Sequence, residues 1–368
     1  MVEVNWKGIA RSMKALGGEG TVILLFKPAG TVTREELDNA IPEEDEGANN
    51  GGWSEGPPGW LLLAEGLPSE VNPWIERLAA RMDDAGLEGT LTGASTARFP
   101  KWAGMWGVPS LNAIIGLAPD GPFTTKPRRW LPSQAMLERA LTHGLDHLTG
   151  PGGRLVTLVG FDRHSFWTPR PYCQDLMRTE VTQDARATAI IVDDARKRVG
   201  TLNLEWSAYT LGWQAPDQPW HETLAELRHT LLTAPTEAIT SAMITHRPYT
   251  ILLYADHPHI DDLARIAFGY RPDVWSRYLL EPNGIQVVTN AHLEAANDLT
   301  NWHTTRLDAN HVLLEARDLH PWYGHGIKGE DDVDDDLLAQ ATHDFGDMIL
   351  TAQRVEELDL PASWRVPL

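Results

Sequence analysis

The sequence predicts an α+β (or α/β) protein built as two layered sheet-and-helix domains with mixed sheets. Three observations carry that reading. At 368 residues the chain exceeds the roughly 250–300 residues at which single hydrophobic cores divide. Short apolar runs of strand length alternate with amphipathic stretches of helical period in both halves. A Gly150-Pro151-Gly152-Gly153 cluster interrupts this pattern, and Gly and Pro break helices and strands alike. The boundary is placed there, giving an N-terminal domain over 1–150 and a C-terminal domain over 151–368.

In the first half, Val22–Phe26 reads as a buried strand, and Thr33-Arg34-Glu35-Glu36 has the form of a capping box opening a short helix. Residues 42–59 combine acidic side chains with Gly51-Gly52 and Pro57-Pro58, which predicts a long, flexible surface loop. A strand over Trp60–Glu65 leads into a helix opening at Pro68-Ser69. Its Val71, Ile75, Leu78 and Met82 share one face, and Gly86 is placed to end it. Thr90–Thr92 and Asn112–Leu117 are further strands. Leu137, Leu141, Leu145 and Leu148 mark the buried face of another helix.

In the second half, Leu155–Val159 reads as a strand, and Ala187–Asp193 with Val199–Trp206 as a hairpin around a charged turn. Helices are expected at 221–232, 236–245, 260–268 and 293–299. Strands are expected at 249–255, 285–289 and 311–316. One long helix over Asp336–Leu358 presents Leu338, Ala341, Phe345, Met348 and Ile349 to the core. Thr21–Phe26 resembles Tyr249–Tyr254, each strand preceding a helix, so an internal duplication is a possible origin of the two halves.

Composition narrows the function classes. Thirty-one Lys and Arg stand against 51 Asp and Glu, a formal charge of −20. Residues 1–150 hold 13 basic and 19 acidic side chains (13 − 19 = −6), leaving 18 and 32 (18 − 32 = −14) for the rest. Such a surface repels phosphate backbones and anionic lipid, so neither nucleic acid nor membrane is expected, and complementary potential favours a basic protein partner. The single cysteine, Cys173, excludes an internal disulfide, and the N-terminus lacks the apolar stretch of a signal peptide. A cytoplasmic protein is the expectation.

Tryptophan is the compositional anomaly, with 15 residues. Trp102, Met105 and Trp106 sit in an aromatic loop punctuated by Gly and Pro. Trp213 and Trp220 frame Ala215-Pro216-Asp217-Gln218-Pro219, and Trp53 lies in the loop over 42–59. Indoles in such contexts are candidate partner-binding anchors, because they bury much area at little entropic cost. Glu330 to Asp336 is acidic at six of seven positions. Asp331, Asp332, Asp334 and Asp335 are therefore candidates for meeting a basic partner, or a solvated lead-in whose charges favour a helix N-terminus.

His257-Pro258-His259-Ile260-Asp261-Asp262 resembles the H-x-H-x-D-H metal-ligand motif of the metallo-β-lactamase fold. The resemblance covers six residues and departs at the last, where Asp262 replaces histidine. It implies a zinc or other divalent metal site on His257, His259 and Asp261; His320 and His325 are candidates for downstream ligands, with no spacing that fixes their geometry. A nucleophile elbow, a Walker A loop and a dinucleotide fingerprint are all absent from the sequence. Two functions are thus in play. The favoured one is a non-catalytic binding module of adaptor, chaperone, immunity or inhibitor type, needing no cofactor. The alternative is a metal-dependent hydrolase centred on His257, His259 and Asp261.

Overall fold

The computed structural model describes residues 1–15, 20–42, 48–56, 59–94, 111–118, 132–148, 154–159, 164–167, 170, 173–175, 177–178, 181, 186–205, 208–214, 218–246, 274–324 and 333–358. It is an α+β protein of two compact units. The first comprises Met1–Phe99, Leu155–Glu180 and Ala187–Ala189; the second comprises Pro100–Arg154, Val181–Arg186 and Ile190–Leu368.

In the first unit, strands β1 (Val2–Val4), β2 (Val22–Pro28), β3 (Asn49–Gly56), β4 (Gly59–Glu65) and β5 (Gly89–Gly93) form one sheet in the order β1-β5-β2-β4-β3. Only β1 and β5 run parallel; the β2–β5, β2–β4 and β3–β4 pairs are antiparallel. Helix α1 (Trp6–Ala15) packs on β5 and β2. The capping box forms as expected at α2 (Arg34–Asp38), with the Glu36 backbone N–H donating to Thr33 Oγ1 and Glu36 Oε2 accepting from the Thr33 N–H. Helix α3 (Pro68–Asp84) buries Val71, Trp74, Ile75, Leu78 and Met82 in a core shared with Val22, Leu24, Phe26, Leu62 and Leu91. Gly86 ends it with φ +75, which only glycine takes without strain.

The Gly-rich segment over 42–59 departs from its expectation. Residues 49–56 are strand β3, and Gly52 at φ +79 sits in a register shift between Asn50 and Trp53. The bulge turns Trp53 inward, where it is fully buried and meets Phe26 edge-on at 6.3 Å. Glycine here supplies a bulge within a paired strand rather than a solvated loop. Further along the chain, β7 (Arg154–Val159) and β8 (His164–Trp167) form an antiparallel pair.

The second unit is organised by a sheet in the order β14-β15-β13-β12-β6-β11-β10-β9. Its strands are β6 (Leu111–Leu117), β9 (Arg186–Asp193, of which Ala187–Ala189 are counted with the first unit), β10 (Arg198–Glu205), β11 (Ala208–Gln214), β12 (Ile239–Thr245), β13 (Ile285–Thr289), β14 (Trp302–Arg306) and β15 (His311–Ala316). Strand β6 pairs with both β11 and β12 at the centre, which places Leu111–Leu117 within this unit.

Register separates two faces of very different chemistry. Opposed residues in antiparallel strands share a face, so Tyr209, Leu211, Trp213, Ile115, Ala113, Ala242, Ile244, Ile285 and Val287 form an apolar one. Helices α4 (Gln134–Leu148) and α5 (Trp220–Thr233) cover that part of the sheet, α4 with the predicted Leu137, Leu141, Leu145 and Leu148 all buried. The opposite face carries Thr201, Asn203, Thr210, Asn112, Thr245 and Gln286. There Gly212 leaves room for the Asn112 amide above it.

Three expected helices are corrected. Residues 239–245 are strand β12 and not part of a helix; all seven are buried between neighbouring strands, and a segment covered on both faces shows no amphipathic period. The run to Leu358 is two helices, α8 (Asp335–Phe345) and α9 (Ala352–Glu357), separated at Gly346 with φ +53. Asn297 packs over Gly346 and donates from Nδ2 to the His343 carbonyl at 2.9 Å, closing the first helix. A side chain at 346 would meet both a left-handed backbone and Asn297. Gly346→Ala is therefore expected to cost about 1–3 kcal/mol, read as a lower urea midpoint with an unchanged m-value. The expected helix at 293–299 is a single turn, α6 (Asn290–Leu293). The segments expected at 249–255 and 260–268, and with them one side of the suggested duplication, lie outside the described residues.

Candidate functional site

Of the sequence-derived site residues, Trp102, Met105, Trp106, His257, His259, Asp261, Asp331 and Asp332 lie outside the described residues. The other four fall in the second unit, in three separate settings.

Trp213 is not offered to solvent. It lies in β11, opposite Leu111 and Gly200, and is 4% exposed. Gly200 has no side chain because the indole occupies that space. The Arg198 guanidinium lies 3.8 Å from the ring centroid, a cation–π stack in a dry environment. The alternation Tyr209, Leu211, Trp213 marks this strand, and the prolines follow it at 216 and 219.

Asp334 is exposed but engaged: its carboxylate accepts from the Asp336 and Leu337 backbone N–H groups and caps α8. Asp335 and Asp336 occupy the first helical turn, exposed, where the helix dipole favours negative charge.

Trp220 has the accessible setting expected of an anchor. It is the first residue of α5, half-buried, with exposed Pro219 before it and exposed His221 after it. Its ring meets the imidazoles of His221 and His320 edge-on, at 5.9 and 6.0 Å. His320 opens α7 (His320–Tyr323), and Leu319 immediately before it lines a groove of about 520 Å³. His303, Thr304, Thr305, Glu315, Ala316 and Arg317 complete that lining. His303, Thr304 and Thr305 belong to β14, the last strand in the order of this sheet, whose residues 303–306 are exposed. Arg228 of α5 holds Glu315 in a two-pronged ion pair at 2.6 and 2.8 Å, which keeps its carboxylate fixed on the groove wall. An accessible indole, two imidazoles and an exposed strand edge thus lie together on one surface.

A second constellation carries no tryptophan and was not singled out in the sequence. His143 and His147 are one helical turn apart on α4, with ring centroids 4.5 Å apart. Their Nε2 atoms lie 3.2 and 2.8 Å from the same atom, Thr233 Oγ1, at the end of α5. His143 Nδ1 is 3.2 Å from Tyr209 Oη, and the His229 ring is 5.5 Å from that of His147. Burial, then the neighbouring His147, pushes His143 down to about 4, while Asp146 and the Thr230 carbonyl act in the opposite sense. Burial, then His229, lowers His147 as well. The H-x-x-x-H spacing was the available signal; His229 and Thr233 join it only through the fold.

Among the described residues no helix is long and apolar enough to cross a membrane. No protein-family description matches the chain, and no curated protein matches it either.

Proposed function

We propose that this protein is a non-catalytic module that binds a partner protein, in the cytoplasm, through the Trp220 surface of its second unit. The observation that carries the reading is the half-buried indole of Trp220, flanked by His221 and His320 and continued through Leu319 into the groove beside β14. An indole set among imidazoles presents area that a partner covers at small entropic cost. An exposed strand edge supplies backbone groups that an extended segment can pair with. The acidic balance of the chain favours a partner with a basic surface and disfavours nucleic acid.

Affinity capture from native lysate on immobilised full-length protein supplies the partner, and titration of that purified partner supplies the test. Trp220→Ala is expected to weaken binding by about 1–2 kcal/mol, close to tenfold or more, with an unchanged far-UV spectrum. Association should slow several-fold as salt rises from low to physiological strength. A lysate that yields no stoichiometric protein, or an affinity unaltered in Trp220→Ala, would overturn the proposal.

A further inference from the structure

We propose that His143, His147 and His229 form a binding site for one first-row divalent transition ion of the Zn²⁺, Ni²⁺ or Cu²⁺ class, independent of the partner surface. Imidazole nitrogen is the preferred donor for these ions, unlike Mg²⁺ or Ca²⁺. Helix α4 sets His143 and His147 four residues apart, so both rings project from the same side over α5. Their two Nε2 atoms already converge on a single point, the position of Thr233 Oγ1.

The Thr233 hydroxyl donates its own hydrogen to the His229 carbonyl at 2.8 Å. Its oxygen is therefore the acceptor for both imidazoles, which carry hydrogen on Nε2. An ion about 2.0–2.1 Å from each nitrogen takes the place of that oxygen. On binding, each ring moves its hydrogen from Nε2 to Nδ1, so no proton leaves the protein. His143 Nδ1–H then donates to Tyr209 Oη, 3.2 Å away, an outer partner of the kind that orients metal-bound imidazoles.

Two further features suit a cation. The Asp146 carboxylate lies near enough to both to favour positive charge there. His229 is exposed on α5, with its ring 5.5 Å from His147, free to turn inward as the third ligand. Among the described residues, no three His, Cys, Asp or Glu side chains stand close enough to chelate an ion without such a turn. Water completes the shell.

The test is titration of untagged, full-length protein with NiCl₂ and with ZnCl₂, against MgCl₂ as background, followed by calorimetry. One equivalent is expected to bind, and His143→Gln and His147→Gln each weaken it at least about tenfold. His303→Gln, which removes an exposed imidazole elsewhere, leaves the affinity within about twofold. Thr233→Val removes the oxygen that occupies the ion's place but no ligand, and is expected to tighten binding; it serves if a histidine variant fails to fold. Affinity unchanged in both His143→Gln and His147→Gln, an equivalent lost only when His257 and His259 are changed, or weaker binding in Thr233→Val would each overturn the site.

Discussion

Arg198→Ala is expected to lower the unfolding free energy by about 3–5 kcal/mol, the range for removing one partner of a buried ion pair. Arg198 is 3% exposed. Its Nε lies 3.4 Å from Asp193 Oδ2 and its Nη1 2.7 Å from Glu226 Oε2, while its plane stacks on Trp213. Glu226 is partly exposed and recovers water when the arginine is lost. Asp193 does not: it is itself buried, and its remaining close support is the Arg196 backbone N–H at 3.0 Å and a distant Arg196 side chain. The cost is therefore an uncompensated carboxylate more than a lost attraction. Two consequences separate that account from simple loss of packing. Arg198→Lys keeps the charge but not the planar fork, and should recover part of the stability. Combining Arg198→Ala with Asp193→Ala should cost less than the sum of the single changes, because the second substitution removes the stranded charge. Urea unfolding followed by tryptophan fluorescence measures both. A loss below about 1 kcal/mol for Arg198→Ala would mean that the pair behaves as a solvated one.

This arginine also shows why the sequence disclosed one part of the protein and not another. Signals confined to one element came through. The Thr33–Glu36 capping box, the apolar face of α3 and the four leucines of α4 each depend on residues within a few turns of one another. Signals that depend on what covers an element did not. Strand β12 is buried on both sides, so its seven residues carry no alternation to read. Trp53 and Trp213 stand beside glycine or ahead of proline, which suggests a loop, yet in each case glycine accommodates the indole: Gly52 through a bulge, Gly200 through an empty position under the ring. Accessible and buried tryptophans cannot be told apart from such neighbours, and only Trp220 among the described candidates retains an accessible setting. The histidine cluster was half legible, since two of its members are four apart on one helix. The other half required α5 to be laid beside α4, a contact spanning 86 residues of sequence between His147 and Thr233.

Stability is expected to fall as the pH drops from about 7 towards 4, earlier than carboxylate protonation alone would bring about. Two buried imidazoles set that window. His292 is 0% exposed, and burial, with His311 nearby, pushes it down to about 4. Its Nδ1 accepts the Thr289 backbone N–H at 3.0 Å and so completes the N-terminal cap of α6. A proton there would add a charge in a dry site and remove the acceptor at once. His143 is likewise pushed down to about 4. Since the unfolded chain binds these protons near pH 6.5, it holds more protons than the native state between about 6.5 and 4. The stabilisation is complete above that window, is lost as the pH falls through it, and changes no further below it. For His292 the shift corresponds to about 3 kcal/mol; for half-buried His143, solvent screening leaves a smaller share. The excess of carboxylates acts in the opposite direction, because acid relieves their mutual repulsion. Asp308, held well below its ordinary range by hydrogen bonds from Asn310 and His311, adds its own loss only under more acid conditions. The decisive comparison is therefore of slopes. Between pH 7.5 and 4.5 the wild-type unfolding free energy should decline with a slope approaching two protons, and His292→Asn should remove about one of them while lowering stability at pH 7.5. Equal slopes in the two proteins would show that His292 takes up its proton as readily in the native state as in the unfolded one.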